Sequence, residues 1–250
     1  MARIIAVTGK GGTGKTATSA LLIRQLAKGN KVILAVDADP DTNLPETLGC
    51  EVSKTIGDIK EFMHSERDNL PPDSNKESVL KSKLYEIIEE MPKYDLLVMG
   101  RPEGAGCYCY VNNLLRGIMD KLVDNYDILI IDAEAGLEHF SRRIFRKVDD
   151  LIVVTDGSRR GLRTAERIRE LVDEMETDVS NIYVIANKVT ETNHEIISNT
   201  AKELGLELIG MIPVDEMLIS KDLAGEPLFE LPDDSAAVRE VEKITAKLGL

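Results

Sequence analysis

One glycine-rich segment near the amino terminus constrains the fold more than any other feature of the chain. The segment Gly9–Thr16 reads GKGGTGKT; it follows the apolar run Ile4–Val7 and precedes a stretch of helical pattern, Ala17–Lys28. Glycines let a backbone wrap with its N–H groups pointing inward, and a following helix adds its own N–H groups and positive dipole end. A strand, a glycine-rich loop and a helix in this order predict a phosphate-binding loop.

The residues of this loop have distinct expected roles. We expect Lys15 to reach the β and γ phosphates of a nucleotide and the Thr16 hydroxyl to bind Mg²⁺. The nucleotide-binding residues predicted here are Gly9, Gly11, Gly12, Thr13, Gly14, Lys15, Thr16 and Ala17.

Apolar runs alternate with segments of helical periodicity along the 250 residues. Most of these runs are continuously apolar, as in strands that are buried on both faces. The pattern predicts a single α/β domain over 1–250, with a mostly parallel P-loop NTPase sheet of about seven or eight strands and helices on both faces. The predicted strands are Arg3–Thr8, Lys31–Asp37, Asp95–Gly100, Asp127–Asp132, Asp150–Thr155, Asn181–Ala186 and Leu206–Ile212. The predicted helices are Lys15–Lys28, Ile56–His64, Ser78–Glu89, Tyr110–Asp124, Leu137–Lys147, Arg160–Met175, His194–Leu204, Asp215–Ala224 and Ser235–Lys247.

The net charge of the chain bears on which classes of partner it can bind. The net charge of −13 argues against non-specific binding to nucleic acid or to an anionic membrane, so neither is expected as a partner. No apolar run approaches the length of a membrane span, and no secretion signal precedes the first strand. We expect a cytoplasmic protein with reduced thiols. The arginine-rich segment 142–147 faces either a partner or solvent.

Carboxylates follow two of the predicted strands. The second strand ends in Asp37-Ala38-Asp39-Pro40-Asp41, where an acidic group can orient the attacking water or hold Mg²⁺ through water. For Asp39 and Asp41 the alternative is a turn or helix cap. Asp132 ends an apolar run, as in a Walker B segment, and we expect it to accept from the Mg²⁺ hydration shell. The N–H of Gly136 is placed to sense a γ-phosphate.

Asn187-Lys188 follows the sixth predicted strand and predicts contacts with a base. The Asn187 amide can hydrogen-bond a purine edge, and the Lys188 stem can cover the ring. A guanine-reading motif continues with Asp two residues after the lysine, but Thr190 stands there, so ATP or ADP is favoured over guanine nucleotides. Backbone contacts to the same base are expected from the end of the last strand, which comprises Ile212, Pro213 and Val214.

The second lysine of the loop, Lys10, makes GKGGTGKT resemble the deviant Walker A motif of the MinD/ParA and nitrogenase-iron-protein group of P-loop ATPases. In that group the extra lysine crosses a homodimer interface to the partner's phosphates, and the aspartate matching Asp39 positions the hydrolytic water. The resemblance therefore implies catalytic roles for Lys10, Lys15 and Asp39. Segments 100–109 and 132–143 further resemble the CooC type, ATPases that assist nickel insertion into carbon monoxide dehydrogenase or acetyl-CoA synthase.

Cys107-Tyr108-Cys109 is the second candidate site. From spacing alone, two small buried residues or a redox pair explain it as well as a metal site does. The CooC resemblance implies a metal-binding motif at a dimer interface. Two chains would offer four thiolates, which suit one Zn²⁺ or Ni²⁺ per dimer. Cys50 is expected to be a structural, buried residue.

These features favour an ATP-dependent metallochaperone that forms an ATP- and metal-dependent homodimer and serves a client nickel enzyme such as carbon monoxide dehydrogenase. One alternative is a spatial-organisation ATPase like MinD or ParA. Another is an iron–sulfur reductase like the nitrogenase iron protein, which needs a cysteine after the Walker B strand. No cysteine occurs between residues 133 and 154, so that cluster arrangement is excluded, whereas an iron–sulfur cluster on the Cys107-Tyr108-Cys109 pairs is chemically possible and ranks below Zn²⁺ or Ni²⁺.

Overall fold

The architecture is a single eight-stranded sheet with helices on both faces. The computed structural model describes residues 2–65, 76–101, 109–134, 147–172 and 178–250, with side chains for all of these except 64 and 109–114. The strands are β1 (Arg3–Thr8), β2 (Ile33–Ala38), β3 (Glu89–Glu90), β4 (Asp95–Val98), β5 (Ile128–Ala133), β6 (Lys147–Thr155), β7 (Asp178–Val189) and β8 (Leu208–Pro213). Their order across the sheet is β3-β4-β2-β5-β1-β6-β7-β8, and only the β3–β4 pair is antiparallel.

The helices connect these strands and cover the sheet. In the described part of the chain they are α1 (Lys15–Leu26), α2 (Leu44–Leu48), α3 (Ile56–Ser65), α4 (Lys76–Glu86), α5 (Cys109–Val123), α6 (Arg159–Val172), α7 (His194–Glu203), α8 (Glu216–Ala224) and α9 (Ala236–Leu248), with a 3₁₀ turn at Leu228–Glu230. None of the helices in these residues is long and apolar enough to cross a membrane.

Alternate residues of the central strand β1 enter two different cores. Ile4 and Ala6 pack into the core that also holds residues of α3 to α6, whereas Ile5 and Val7 pack against α1, α2 and α9. Both faces of the strand are therefore buried, which explains its continuously apolar sequence. The predicted fold class is confirmed: the sheet is mostly parallel and matches the P-loop NTPase architecture.

Several predicted boundaries were wrong. Lys147 was placed at the end of a helix, but it begins β6 and pairs with Asp178 of β7. Glu89 was also placed in a helix, but it pairs with Leu96, because the chain reverses at Pro92 and the Met91 N–H donates to the Tyr94 carbonyl. Helix α2 was not predicted, since five residues are too few for a helical period to show. The predicted helix 137–147 otherwise lies outside the described residues.

Asp215 fixes the position of two helices at once. Its Oδ1 accepts from the N–H groups of Met217 and Leu218 at the start of α8. Its Oδ2 accepts from the Ser235 hydroxyl at 2.6 Å and the Ala237 N–H at 3.0 Å, at the start of α9. The carboxylate is buried and carries four hydrogen bonds, so it links the end of β8 to both helices.

We expect Asp215→Ala to lower the free energy of unfolding by about 2–4 kcal/mol, because it removes the N-cap of α8 and the acceptor for two donors at the start of α9, and leaves buried donors unpaired. Asp234→Ala is the matched control, since Asp234 is exposed and its loss should cost no more than about 0.5 kcal/mol. Urea unfolding of the two variants measures the difference. Equal losses would contradict the capping role.

Candidate nucleotide site

The glycine-rich loop lies at the carboxyl end of β1, between its neighbours β5 and β6. Gly9 has φ 149°, and a Cβ there would lie 2.1 Å from the Val154 carbonyl oxygen of β6, so only glycine fits. The Thr13 N–H and hydroxyl both donate to the Lys10 carbonyl, at 3.3 Å and 2.8 Å. Gly14, at φ 89°, then leads directly into the first turn of α1. The predicted strand, loop and helix therefore occur together.

The two lysines of the loop differ in burial. Lys15 begins α1 and is only 8% exposed, whereas Lys10 is exposed on the loop surface. A buried amine beside the helix N-terminus suits a ligand phosphate held inside the loop. An exposed amine is free to reach outward, toward a second molecule.

Asp132 lies at the end of β5, beside the start of α1. Its Oδ1 accepts from the Ser19 hydroxyl at 3.0 Å, while its buried Oδ2 has no hydrogen-bond partner. Burial raises the pKa of Asp132 to about 6, although hydrogen bonds from Thr16 and Ser19 and the charge of Lys15 act to lower it. A buried, unpaired carboxylate oxygen next to a threonine hydroxyl fits the hydration shell of Mg²⁺.

A second buried carboxylate holds the loop that follows β2. Asp37 pairs in register with Asp132 on the adjacent strand. Its two oxygens accept from the N–H groups of Asp39 and Leu44, each at 3.0 Å. This leaves the Asp39 side chain at the cavity, where its Oδ1 accepts from the Asp41 N–H at 3.0 Å. Asp39 thus also caps a turn, the alternative that its sequence position left open.

Asn187 and Lys188 secure the phosphate loop from the far end of the chain. The Asn187 side chain is 8% exposed, and its Nδ2 donates to the Thr13 carbonyl at 2.9 Å. Lys188 donates from its Nζ to the Gly12 carbonyl at 3.1 Å. The Oδ1 of Asn187 accepts from the Lys188 N–H, so much of this amide is already engaged without a base. The expected purine contact of Asn187 and Lys188 stays a prediction.

These elements enclose a cavity of about 760 Å³, within the usual range for ligand sites. Pro213 and Val214 line it, whereas the Ile212 side chain is buried in the core beneath and does not. The lining of the cavity includes the predicted site residues Gly11, Gly12, Gly14, Lys15, Thr16, Ala17, Asp39, Asn187 and Lys188.

Comparison with known proteins assigns this site to a family. Residues 4–228 match the model of the CobQ/CobB/MinD/ParA nucleotide binding domain. The chain belongs to this family. It is 54% identical to an uncharacterised ATP-binding protein of Methanocaldococcus jannaschii, over 98% of each chain. It is 32% identical to the carbon monoxide dehydrogenase accessory protein CooC of Rhodospirillum rubrum, over 91% of this chain and 89% of that one.

Among solved structures, the MinD cell division protein of Aquifex aeolicus has the same fold. The TM-score is 0.74 at 23% identity, and the match covers 100% of this chain and 97% of the other. The family is one of nucleotide-binding domains, and the matched residues 4–228 include the loop described above.

Other predicted site residues fall outside the description. Cys107, Gly136, His139, Arg142, Arg143 and Arg146 lie outside the described residues, and Cys109 begins α5 with only its backbone described. Within the described ranges no group of three or more His, Cys, Asp or Glu side chains could hold a metal. Cys50 is buried, with its Sγ 3.1 Å from the Tyr94 hydroxyl, as expected of a structural cysteine.

Sequence reasoning missed two residues of the site, Ser19 and Asp37. Ser19 lies four residues after Lys15 and so returns to the same side of α1, toward Asp132. Asp37 stands within the quoted Asp-Ala-Asp segment, but only Asp39 was assigned a role. The sequence signal for Ser19 is its helical spacing from Lys15, and the signal for Asp37 is its position at the end of a predicted buried strand.

Gly14→Ala tests how closely the loop is held by Asn187. A Cβ at Gly14 would lie 2.2 Å from Asn187 Nδ2, and the backbone there has φ 89°. We expect a loss of about 2–3 kcal/mol in the free energy of unfolding, from strain and the displaced hydrogen bond. Gly11→Ala is the control, because nothing lies within 4 Å of its Cβ and its φ is not positive. Equal losses in urea unfolding would refute the bracing role of Asn187.

The buried pair Asp37 and Asp132 makes stability depend on pH. Burial, and then the charge of Asp132, raise the pKa of Asp37 to about 7, from an ordinary value of 3.8. The folded protein therefore binds more protons than the unfolded chain between about pH 4 and pH 7, and the free energy of unfolding falls as pH rises through this window. In EDTA we expect a loss of about 2–4 kcal/mol between pH 5 and pH 8.

Asp37→Asn should reduce this slope, because it removes the more strongly shifted group. Urea unfolding of both proteins at several pH values measures it. A profile for the unsubstituted protein that is flat or rises with pH would contradict the assignment.

Proposed function

We propose that the chain is a Mg²⁺-dependent ATPase whose nucleotide cycle controls a metal site, and that it acts as a metallochaperone. The observation that carries the nucleotide half is that Lys15, Thr16 and Asp39 line one cavity, with the buried carboxylate of Asp132 next to Thr16. The absence of a carboxylate at Thr190 supports ATP over GTP. The ATP-binding relative at 54% identity agrees with this choice of nucleotide.

The residues of the nucleotide site have different roles in hydrolysis. Lys15 and the loop N–H groups neutralise the phosphates; Thr16 and Asp132 would hold Mg²⁺, which would supply further charge neutralisation there. Asp39 orients the attacking water, and the two hydrogen bonds of Asp37 hold the Asp39 loop in place. Lys10, which is exposed, reaches the phosphates bound by a second subunit and thereby links hydrolysis to dimerisation.

Cys107 and Cys109 supply the second half of the proposal. One chain offers two thiolates, half of a tetrahedral Zn²⁺ site or a square-planar Ni²⁺ site, so metal binding requires two chains. The similarity to the carbon monoxide dehydrogenase accessory protein CooC supports carbon monoxide dehydrogenase as the client, and nickel as the cargo rests on the resemblance of segments 100–109 and 132–143 to the CooC type. ATP binding closes the dimer around the metal, and hydrolysis reopens it; the nucleotide must therefore bind the closed state more tightly.

A second candidate is a spatial-organisation switch of the MinD or ParA kind, which needs the same nucleotide loop and no metal. The fold shared with MinD favours it, and the Cys-x-Cys pair counts against it. Metal content separates the two functions: about one Zn or Ni per dimer supports the metallochaperone, and none supports the switch.

Cys107→Ala with Cys109→Ala tests the metal site. We expect the double variant to lose bound Zn²⁺ or Ni²⁺, measured by elemental analysis of dialysed protein, and to retain ATP hydrolysis within about twofold, because the cysteines lie outside the phosphate loop. Cys50→Ala is the matched control and should keep the metal, since Cys50 is buried against Tyr94. Unchanged metal content in the double variant would overturn the assignment.

Lys10→Ala tests the link to dimerisation. We expect ATP-dependent dimerisation and hydrolysis to fall at least about a hundredfold, as for loss of a charge supplied in trans, while nucleotide affinity of the monomer changes little. Sedimentation with ATP and a phosphate-release assay measure the two effects. An unchanged hydrolysis rate would argue against a trans role for Lys10.

A further inference from the structure

Helix α6 carries a row of arginines that the site described above does not use. Arg159, Arg160, Arg163 and Arg167 are all exposed, and none makes an ion pair or side-chain hydrogen bond with the residues that the structure describes. Arg169 of the same helix differs, because its guanidinium donates to the carbonyls at the end of α7 and is half-buried. We call the first four residues the arginine row.

The stability of the helix does not explain the arginine row. Arg159 and Arg160 occupy the first turn, which has no acidic residue, so two cations lie at the positive end of the helix dipole. Arg163 lies four residues from both Arg159 and Arg167, and like charges at this spacing repel. Glu166 and Glu170 follow Arg163 and Arg167 by three residues, so the placements that most weaken the helix are those of Arg159 and Arg160 at its start.

The arginine row begins beside the nucleotide site. Helix α6 follows β6, and β6 pairs with β1 up to the register Thr8 with Val153, directly before the phosphate loop. The Gly9 position approaches the Val154 carbonyl closely. The start of α6 therefore lies at the same edge of the sheet as the nucleotide, and a partner bound there would lie next to the loop.

We propose that the arginine row docks an acidic surface of a partner protein. The positions Arg160, Arg163 and Arg167 share one face of α6 over about 10 Å, a span that carboxylates on two turns of a facing helix match. Arginine pairs with carboxylates in bidentate fashion, which gives such a row specificity.

The charges of the chain favour an acidic protein over a phosphate polymer. Nucleic acid and anionic lipid carry negative charge over an extended surface, which the net charge of −13 repels at long range, whereas a protein can confine its carboxylates to the patch that meets the row. Glu166 and Glu170 stand on the same helix, and a protein surface can place basic groups opposite them, which a phosphate polymer cannot do. This inference concerns the partner surface and stands whether or not the chain carries a metal.

A synthetic glutamate-rich helical peptide of about 20 residues, labelled for fluorescence anisotropy, is the probe, at about 0.1 M salt. Arg159→Glu with Arg160→Glu should weaken its binding at least about tenfold. The same change should leave Tm unchanged or raise it by about 1–4 °C, because acidic residues suit the first turn of a helix. A loss of binding with equal or higher stability separates a docking role from a structural one.

Lys31→Glu with Lys93→Glu is the matched control, with the same change in charge at two exposed positions before β2 and β4, at the opposite edge of the sheet. It should weaken peptide binding by less than about threefold. Arg163→Gln with Arg167→Gln, which adds no negative charge, should weaken binding about threefold or more.

Three outcomes would overturn the proposal. They are an equal loss in the lysine control, no peptide binding by the unsubstituted protein, and tighter binding to duplex DNA or phosphatidylserine vesicles than to the peptide. The last result would assign the row to a phosphate-bearing partner instead.

Discussion

The hydrogen bond from Asn187 to the Thr13 carbonyl is the contact on which the nucleotide site depends most. It joins residues 174 positions apart and is buried. A glycine-rich loop is flexible by composition, so its N–H groups can point at phosphate only if something outside the loop holds it. Lys188 adds a second contact, at the Gly12 carbonyl. The last strands of the sheet therefore set the geometry of a loop near the amino terminus.

Two clusters of like charge are the second feature of the structure that bears on binding. Asp37 and Asp132 are buried side by side, and burial raises the pKa of each; the charge of Asp132 raises that of Asp37 further, and the charge of Asp39 that of Asp132. Mg²⁺ at the free oxygen of Asp132 would relieve that cost. The arginine row of α6 is the opposite case, since its cations make no ion pair with the described residues. A ligand of opposite charge would lower the electrostatic cost of either cluster, and such unbalanced charge is typical of binding sites.

Local signals predicted much of the fold and the centre of the site. Buried parallel strands read as continuous apolar runs, and the residue that ends such a run, as Asp132 does, falls at the ligand edge of the sheet. The bracing role of Asn187 could not be predicted, because it depends on a partner that only the folded sheet brings close. The role of Asp37 could not be predicted for the same reason: its carboxylate oxygens accept from N–H groups of a turn whose path the sequence does not reveal. Lys147 was misplaced because a short amphipathic segment fits a helix and a strand about equally.

In the function proposed above, the nucleotide loop controls a metal that two chains share. The most direct measurement is the mass in solution and the metal content of the same fractions, with Asp39→Ala protein to prevent hydrolysis, in the presence of ATP, ADP or neither. We expect ATP to give a dimer with about one Zn²⁺ or Ni²⁺, and the nucleotide-free protein to be shifted toward a metal-free monomer. An ATP-dependent dimer without metal, when Zn²⁺ and Ni²⁺ are supplied, would contradict it.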